Sequence, residues 1–175
     1  MRLLNGEARL LIGSDYRVVK IFVADDHELV RKFVKESLAE IPDFQVVGEA
    51  SSGEETVERI QTAQPDILVT DLSMKGMNGI QVTKKIKELL PKVSVIIFSI
   101  DAGYGYAMMA WEAGASGYVT KDAGIDGLAT AIREINHDGF YLSSPLSKQK
   151  LLEFRSRLRP DRRRSSEERE ETLPA

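Results

Sequence analysis

The sequence contains no cysteine and only two histidines among its 175 residues. The absence of cysteine excludes a disulfide framework, a thiolate zinc site and a cysteine nucleophile. Two histidines are also too few for a histidine-rich metal site. A metal bound by this chain would therefore be a hard cation such as Mg²⁺, held by oxygen ligands. No apolar run approaches the roughly 18–20 residues that a membrane-spanning helix needs.

An excess of positive charge is also lacking, since the formal net charge is −3. The chain thus has no overall basic field that would attract nucleic acid. Its first 17 residues hold a weak apolar stretch interrupted by charges, without a small-residue cleavage signature, which favours an N-terminal extension over a signal peptide. The composition predicts a cytoplasmic chain without a membrane partner. The hydrophobic content of 42% suits one globular domain.

Short apolar runs alternate with amphipathic stretches from Val18 onward. In the first amphipathic stretch, the spacing predicts that Leu29, Phe33, Leu38 and Ile41 share the buried face of a helix. Five strand–helix pairs with short connections predict an α/β fold, in which a parallel sheet is covered by helices on both faces. The predicted strands are residues 18–24, 44–50, 65–72, 93–99 and 116–121.

Three aspartates follow predicted strands: Asp25 and Asp26 after the first, and Asp71 at the end of the third. In an open parallel sheet, ligands bind outside the carboxyl ends of the strands. If the first and third strands are neighbours, these three carboxylates lie within a few ångströms of one another. Their mutual repulsion then requires a cation, and Mg²⁺ is the ion that such an oxygen-only set favours.

Two more strand ends carry polar side chains, the hydroxyl of Ser99 and the ammonium of Lys121. A hydroxyl, an ammonium and a divalent cation around an aspartate can bind the equatorial oxygens of a transferring phosphoryl group. An aspartate in such surroundings is equipped to accept a phosphoryl group. Taken singly, Asp26 is more typical of a helix N-cap, and Ser99 and Lys121 are more typical of solvated strand ends.

Four segments together resemble the receiver domain of two-component response regulators of the NarL/FixJ or LuxR type. They are "VADDHELVRK", "DILVTDLSMKGMNG", "VIIFS" and "GASGYVTKD". The resemblance covers residues 18–145, with residues 1–17 as an extension and residues 146–175 as a charged helical or disordered tail. It implies a flavodoxin-like, doubly wound sheet of five parallel strands in the order 2-1-3-4-5 with five helices, an order that the same fold family shows in a chemotaxis receiver.

The resemblance also implies a role for each site residue. Asp71 would be the phosphoacceptor, and Ser99 and Lys121 would hold the phosphoryl oxygens. Tyr118 would change rotamer together with Ser99. Lys75 departs from the family pattern, in which proline is common. The implied Mg²⁺ ligands are Asp25, mainly through water, together with Asp26, Asp71 and the backbone carbonyl of Ser73.

The resemblance implies a switch rather than a free-standing enzyme, with a sensor histidine kinase as phosphodonor and homodimerisation on phosphorylation. An aspartyl phosphatase is a weaker alternative, because such enzymes carry a second carboxylate two residues after the nucleophile and this chain has Ser73 there. A stand-alone or degenerate receiver that acts only as an interaction module is another. Regulators of this type usually control transcription through a helix-turn-helix domain. We expect no complete output domain in residues 146–175, so DNA would be bound only through a domain outside this chain.

Overall fold

A computed structural model describes residues 17–135, 140–143 and 145–158, apart from the side chains of residues 154, 155, 157 and 158. The predictions for residues 1–16 and for the charged tail beyond residue 158 lie outside the described residues. No helix in the described part of the chain is long and apolar enough to cross a membrane.

The described strands form one parallel sheet in the order β2-β1-β3-β4-β5-β6. The predicted fold class and the order 2-1-3-4-5 are confirmed, with a sixth strand added beside β5. That strand has two residues, which is too short to show an alternating pattern in the sequence. The strands are β1 (Val19–Ala24), β2 (Phe44–Ala50), β3 (Ile67–Thr70), β4 (Ser94–Ser99), β5 (Gly117–Thr120) and β6 (Tyr141–Leu142).

Six α-helices are described, one more than the resemblance implied, and a short 3₁₀ turn at Lys121–Ala123 follows β5. Side-chain caps mark where two of these helices begin. The Ser52 hydroxyl accepts the Glu55 N–H, and Asn78 and Gln81 form a capping box in which each side chain accepts the backbone N–H of the other residue. The helices are α1 (Glu28–Ala39), α2 (Gly53–Ala63), α3 (Gly79–Leu89), α4 (Tyr104–Glu112), α5 (Gly124–Glu134) and α6 (Lys148–Leu158).

The prediction for the buried face of α1 was wrong in part. Leu38 is buried and Ile41 packs against the core, but the side chains of Leu29 and Phe33 are exposed, with 83% and 60% of their surface accessible. Val34 lies in the core instead, four residues before Leu38. Residues four apart share a helix face, so the face that includes Val34 and Leu38 packs on the sheet and the side chains at 29 and 33 point away.

The last helix, α6, packs against α4. Leu151 is fully buried, and it belongs to the same apolar cluster as Ala107 and Met108 of α4. Just before α6, the backbone N–H of Ser147 donates a hydrogen bond of 3.1 Å to the Tyr104 hydroxyl. The chain that follows the sheet is therefore part of the packed structure at least as far as Leu151.

Candidate phosphoryl-acceptor site

Two of the predicted carboxylates lie at the carboxyl ends of neighbouring strands. β1 pairs with β3, with Ala24 opposite Thr70, so that Asp25 and Asp71 follow at the same edge of the sheet. Both residues are buried, with 4% and 5% of their surface exposed. The first and third strands are thus neighbours, as the predicted site requires. The two negative charges lie where little water reaches them.

Lys121 compensates these two charges. Its Nζ lies 2.8 Å from Asp25 Oδ2 and 2.8 Å from Asp71 Oδ1. Burial lowers the pKa of the Lys121 ammonium, but its hydrogen bonds to Asp25 and Asp71 and their charges outweigh that effect and raise the pKa above its ordinary value. Lys121 therefore remains charged at neutral pH and links the two carboxylates.

Asp26 occupies the outer side of the site. Its Oδ2 accepts the Lys75 N–H at 3.3 Å, whereas Oδ1 is buried and is the only such side-chain atom in the described residues without a hydrogen-bond partner. His27 Nδ1 lies 3.0 Å from that Oδ1, without the geometry of a hydrogen bond. A buried carboxylate oxygen that lacks a donor is suited to a cation.

Donor atoms of Asp25, Asp26 and His27 lie within 4.8 Å of one another and could hold a metal ion. His27 is mostly exposed, and Mg²⁺ prefers oxygen ligands, so the two carboxylates fit that ion better than the imidazole does. Asp71 is not in this group. The structure thus brings the acidic pair together as a possible metal site and joins Asp71 to it through Lys121.

The loop after β3 folds back on Asp71. The backbone N–H of Ser73 donates a 2.9 Å hydrogen bond to Asp71 Oδ2, while Lys121 occupies Oδ1. The loop ends at Gly79, where only glycine fits, because a Cβ at this position would lie 2.3 Å from the Asp71 carbonyl oxygen. Lys75, where proline is common in the resembling family, uses its N–H to bind Asp26, which a proline could not do.

Ser99 and Tyr118 both contact the backbone of Asp101, in the loop between β4 and α4. The Ser99 hydroxyl accepts the Asp101 N–H at 3.1 Å, and the Tyr118 hydroxyl donates to the Asp101 carbonyl at 2.8 Å. Tyr118 is fully buried, and this burial raises its pKa to about 12 although the nearby Ser99 hydroxyl acts to lower it. Nothing in the residue types of the sequence indicated that Asp101 connects these two side chains.

The family model of the response regulator receiver domain matches residues 21–133. Among curated relatives, the transcriptional regulatory protein DegU of Brevibacillus brevis is 32% identical over 149 residues, which are 85% of this chain and 63% of DegU. The chain therefore spans less than two thirds of that relative's length.

Two solved structures show the same fold over most of this chain. A two-component response regulator of the LuxR family from Aurantimonas sp. SI85-9A1 is 33% identical, with a TM-score of 0.72, and the match covers 79% of this chain and 98% of that one. The isolated receiver domain of RcsB from Salmonella enterica serovar Typhimurium, solved in the presence of a beryllofluoride phosphomimetic, is 26% identical, with a TM-score of 0.66 over 76% of this chain and 97% of that one.

Proposed function

Because this chain belongs to the response regulator receiver domain family, with NarL/FixJ and LuxR-type relatives, we propose that it is a phosphoryl-accepting switch of a two-component system with Asp71 as the acceptor. The observation that carries the proposal is the buried Asp71 carboxylate, bridged to Asp25 by the Lys121 ammonium. In transfer, an Asp71 oxygen forms the bond to phosphorus while the bond between phosphorus and the donor breaks, and the donor keeps that electron pair.

The chain's own residues prepare this transfer in two ways. Lys121 stabilises the charge that collects on the phosphoryl oxygens, and the hydroxyl of Ser99 is available for one of them. Asp25, Asp26, Asp71 and the Ser73 carbonyl would hold Mg²⁺, whose charge offsets the negative charge of acceptor and phosphoryl group. The buried Asp26 Oδ1, which accepts no hydrogen bond, supports this assignment.

The switch proceeds through Asp101. When the Ser99 hydroxyl turns to a phosphoryl oxygen, it gives up the Asp101 N–H that it now accepts. Tyr118 then holds the Asp101 carbonyl alone, and the loop that leads into α4 changes its position. Since α6 packs on α4, the same change reaches the C-terminal helix of the described chain.

The partner of this switch is a sensor histidine kinase, and the chain itself acts in the cytoplasm. Regulation of transcription is the output that we propose, and the description of DegU as a transcriptional regulatory protein supports it. The chain is on this proposal a signalling module rather than a free-standing enzyme.

The decisive experiment is phosphorylation by a small-molecule phosphodonor in the presence of Mg²⁺, followed by intact mass. We expect one phosphate adduct on the wild-type protein, none on Asp71→Asn, and a normal adduct on the control Asp126→Asn, which changes an exposed aspartate of α5. A full adduct on Asp71→Asn would show that the acceptor is another residue.

Asp26→Asn should weaken Mg²⁺ binding, and unchanged affinity would remove Asp26 from the ligands.

Phosphorylation also favours a symmetric dimer on this proposal. The exposed apolar side chains of Ile100, Tyr106 and Met109, in and next to α4, support it. Sedimentation of the protein with and without a beryllofluoride mimic provides the test. A shift to dimer with the mimic is expected, and a monomer under both conditions at tens of micromolar would contradict it.

A further inference from the structure

The loop between β3 and α3 is held by carboxylates at every second residue. The N–H groups of Ser73 and Lys75 bind the site carboxylates already described. The backbone N–H of Met77, two residues further on, donates a 2.9 Å hydrogen bond to Glu54 Oε1. Glu54 lies on the exposed first turn of α2 and takes no part in the site itself. This glutamate therefore anchors the far end of a loop whose near end carries site contacts.

The loop and the start of α2 approach each other at backbone distance. A Cβ on Gly53, the first residue of α2, would lie 2.2 Å from the Met77 carbonyl oxygen. Gly76 has a φ of +73°, and a Cβ there would lie 2.7 Å from Glu54 Oε1. Glycine at both positions permits this contact, which any other residue would push apart.

The helix start that carries Glu54 is itself well fixed. Glu55 Oε2 accepts both the N–H and the hydroxyl of Ser51, at 2.7 and 2.8 Å, and the Ser52 hydroxyl caps the Glu55 N–H at 3.2 Å. Glu54 thus projects from a helix start that these three hydrogen bonds hold in place.

The geometry points to Glu54 as a positioning residue of the metal site, acting through the loop and Asp26. With Met77 held by Glu54, the Lys75 N–H stays on Asp26 Oδ2, and the carboxylate presents its other oxygen, Oδ1, which accepts no hydrogen bond, to the site. Without Glu54 the loop spends part of its time away from Asp26. The affinity for a cation then falls in proportion to the remaining competent fraction. This inference rests on the proposed Mg²⁺ site.

The test compares the affinity of three variants for Mg²⁺ alone, by isothermal titration calorimetry of the whole chain. Glu54→Ala removes the acceptor, and Glu54→Gln removes the charge but keeps an oxygen that can accept the Met77 N–H. Glu58→Ala is the matched control, since it removes the same charge one turn further along the exposed side of α2. A net hydrogen-bond contribution of typical size predicts about a two- to tenfold weaker affinity for Glu54→Ala.

We expect Glu54→Gln and Glu58→Ala to bind Mg²⁺ within about twofold of the wild type. Amide hydrogen exchange of the metal-free protein should show faster exchange at Lys75 and Met77 in Glu54→Ala only. Saturating Mg²⁺ should restore its rate of phosphorylation by a small-molecule donor, because the loss lies in affinity. Urea unfolding checks that each variant is folded.

Three results would overturn the inference. Equal Mg²⁺ affinity in Glu54→Ala and the wild type would show that the loop needs no anchor. Equal losses in Glu54→Gln and Glu54→Ala would show that charge acts and the hydrogen bond does not. A wild-type protein that binds no Mg²⁺ would overturn the proposed function together with this inference, whereas the first two results leave the proposed function intact.

Discussion

Replacing Lys121 with methionine tests how the site is held together before any cation or phosphoryl group arrives. Lys121 Nζ lies 2.8 Å from one oxygen each of Asp25 and Asp71, and the two carboxylates have 5% and 6% of their side-chain surface exposed. At an effective dielectric constant of about 20, each contact amounts to about 6 kcal/mol before the cost of desolvation. Methionine keeps the length of the side chain but removes the charge, so both carboxylates remain buried without compensation.

Removing one partner of a buried ion pair typically costs about 3–5 kcal/mol, and we expect Lys121→Met to lower the free energy of unfolding by that amount at neutral pH. Urea unfolding followed by the fluorescence of Trp111, the only tryptophan, measures it. Saturating Mg²⁺ should recover part of the loss, because a divalent cation offsets the same two charges. The double variant Lys121→Met with Asp71→Asn should also recover part of it, because only one carboxylate is then uncompensated.

The matched control is Lys85→Met, which removes a half-exposed ammonium 3.7 Å from Glu88 on the surface of α3. Surface pairs of this kind contribute about 0–1 kcal/mol, so its effect should be small. An equal loss in both variants, or a loss in Lys121→Met that neither Mg²⁺ nor Asp71→Asn reduces, would refute the reasoning that links stability to the buried charges.

Three further predictions concern other parts of the chain. Glu55→Gln should lower the free energy of unfolding by about 1 kcal/mol at neutral pH, because hydrogen bonds from Ser51 lower the Glu55 pKa to about 2. Urea unfolding should show this contribution in full above the ordinary pKa of 4.5, and its loss as the pH falls towards 2. Leu151→Ala should lower the free energy of unfolding by about 2–5 kcal/mol, measured by thermal or urea unfolding, because Leu151 is fully buried. Leu152→Ala, which changes the half-exposed neighbour, should have little effect, and equal effects of the two changes would contradict the packing of α6. The pKa of Tyr118 is raised from 10.0 to about 12, so its contribution to stability is complete below pH 10 and is lost as the pH rises towards 12. In urea unfolding between pH 10 and pH 12, the free energy of unfolding of Tyr118→Phe should therefore fall less than that of the wild type.

The carboxyl ends of the strands could be predicted from the sequence because each is marked twice. An apolar, β-branched run ends, and a polar side chain follows at once, as at Asp25, Asp71 and Ser99. In a parallel sheet all such ends meet at one edge, so pattern and topology together predict which side chains are neighbours. The parallel α/β sheet followed from this pattern, whereas the receiver fold and the order of its first five strands followed from the family resemblance. These predictions are confirmed.

The face of α1 could not be read correctly in the same way. Leu29 and Phe33 are as apolar as Val34 and Leu38, and both pairs have helical spacing. Hydrophobic periodicity identifies an apolar stripe but does not decide between two stripes about a quarter of a turn apart. The helix buries the side that the sheet and α5 leave available, and that choice depends on how three elements pack.

The sequence alone determined which chemical groups this protein can use: oxygen ligands without thiolates, and one lysine, one hydroxyl and three aspartates at strand ends. These are local properties of residue type and order. Only the tertiary structure decided that Lys121 bridges Asp25, 96 residues earlier, to Asp71, and that Glu54 at the start of α2 accepts the Met77 N–H of the loop before α3. Such contacts depend on differences of an ångström between elements distant along the chain, and those distances are set by the packing of the whole sheet and its helices.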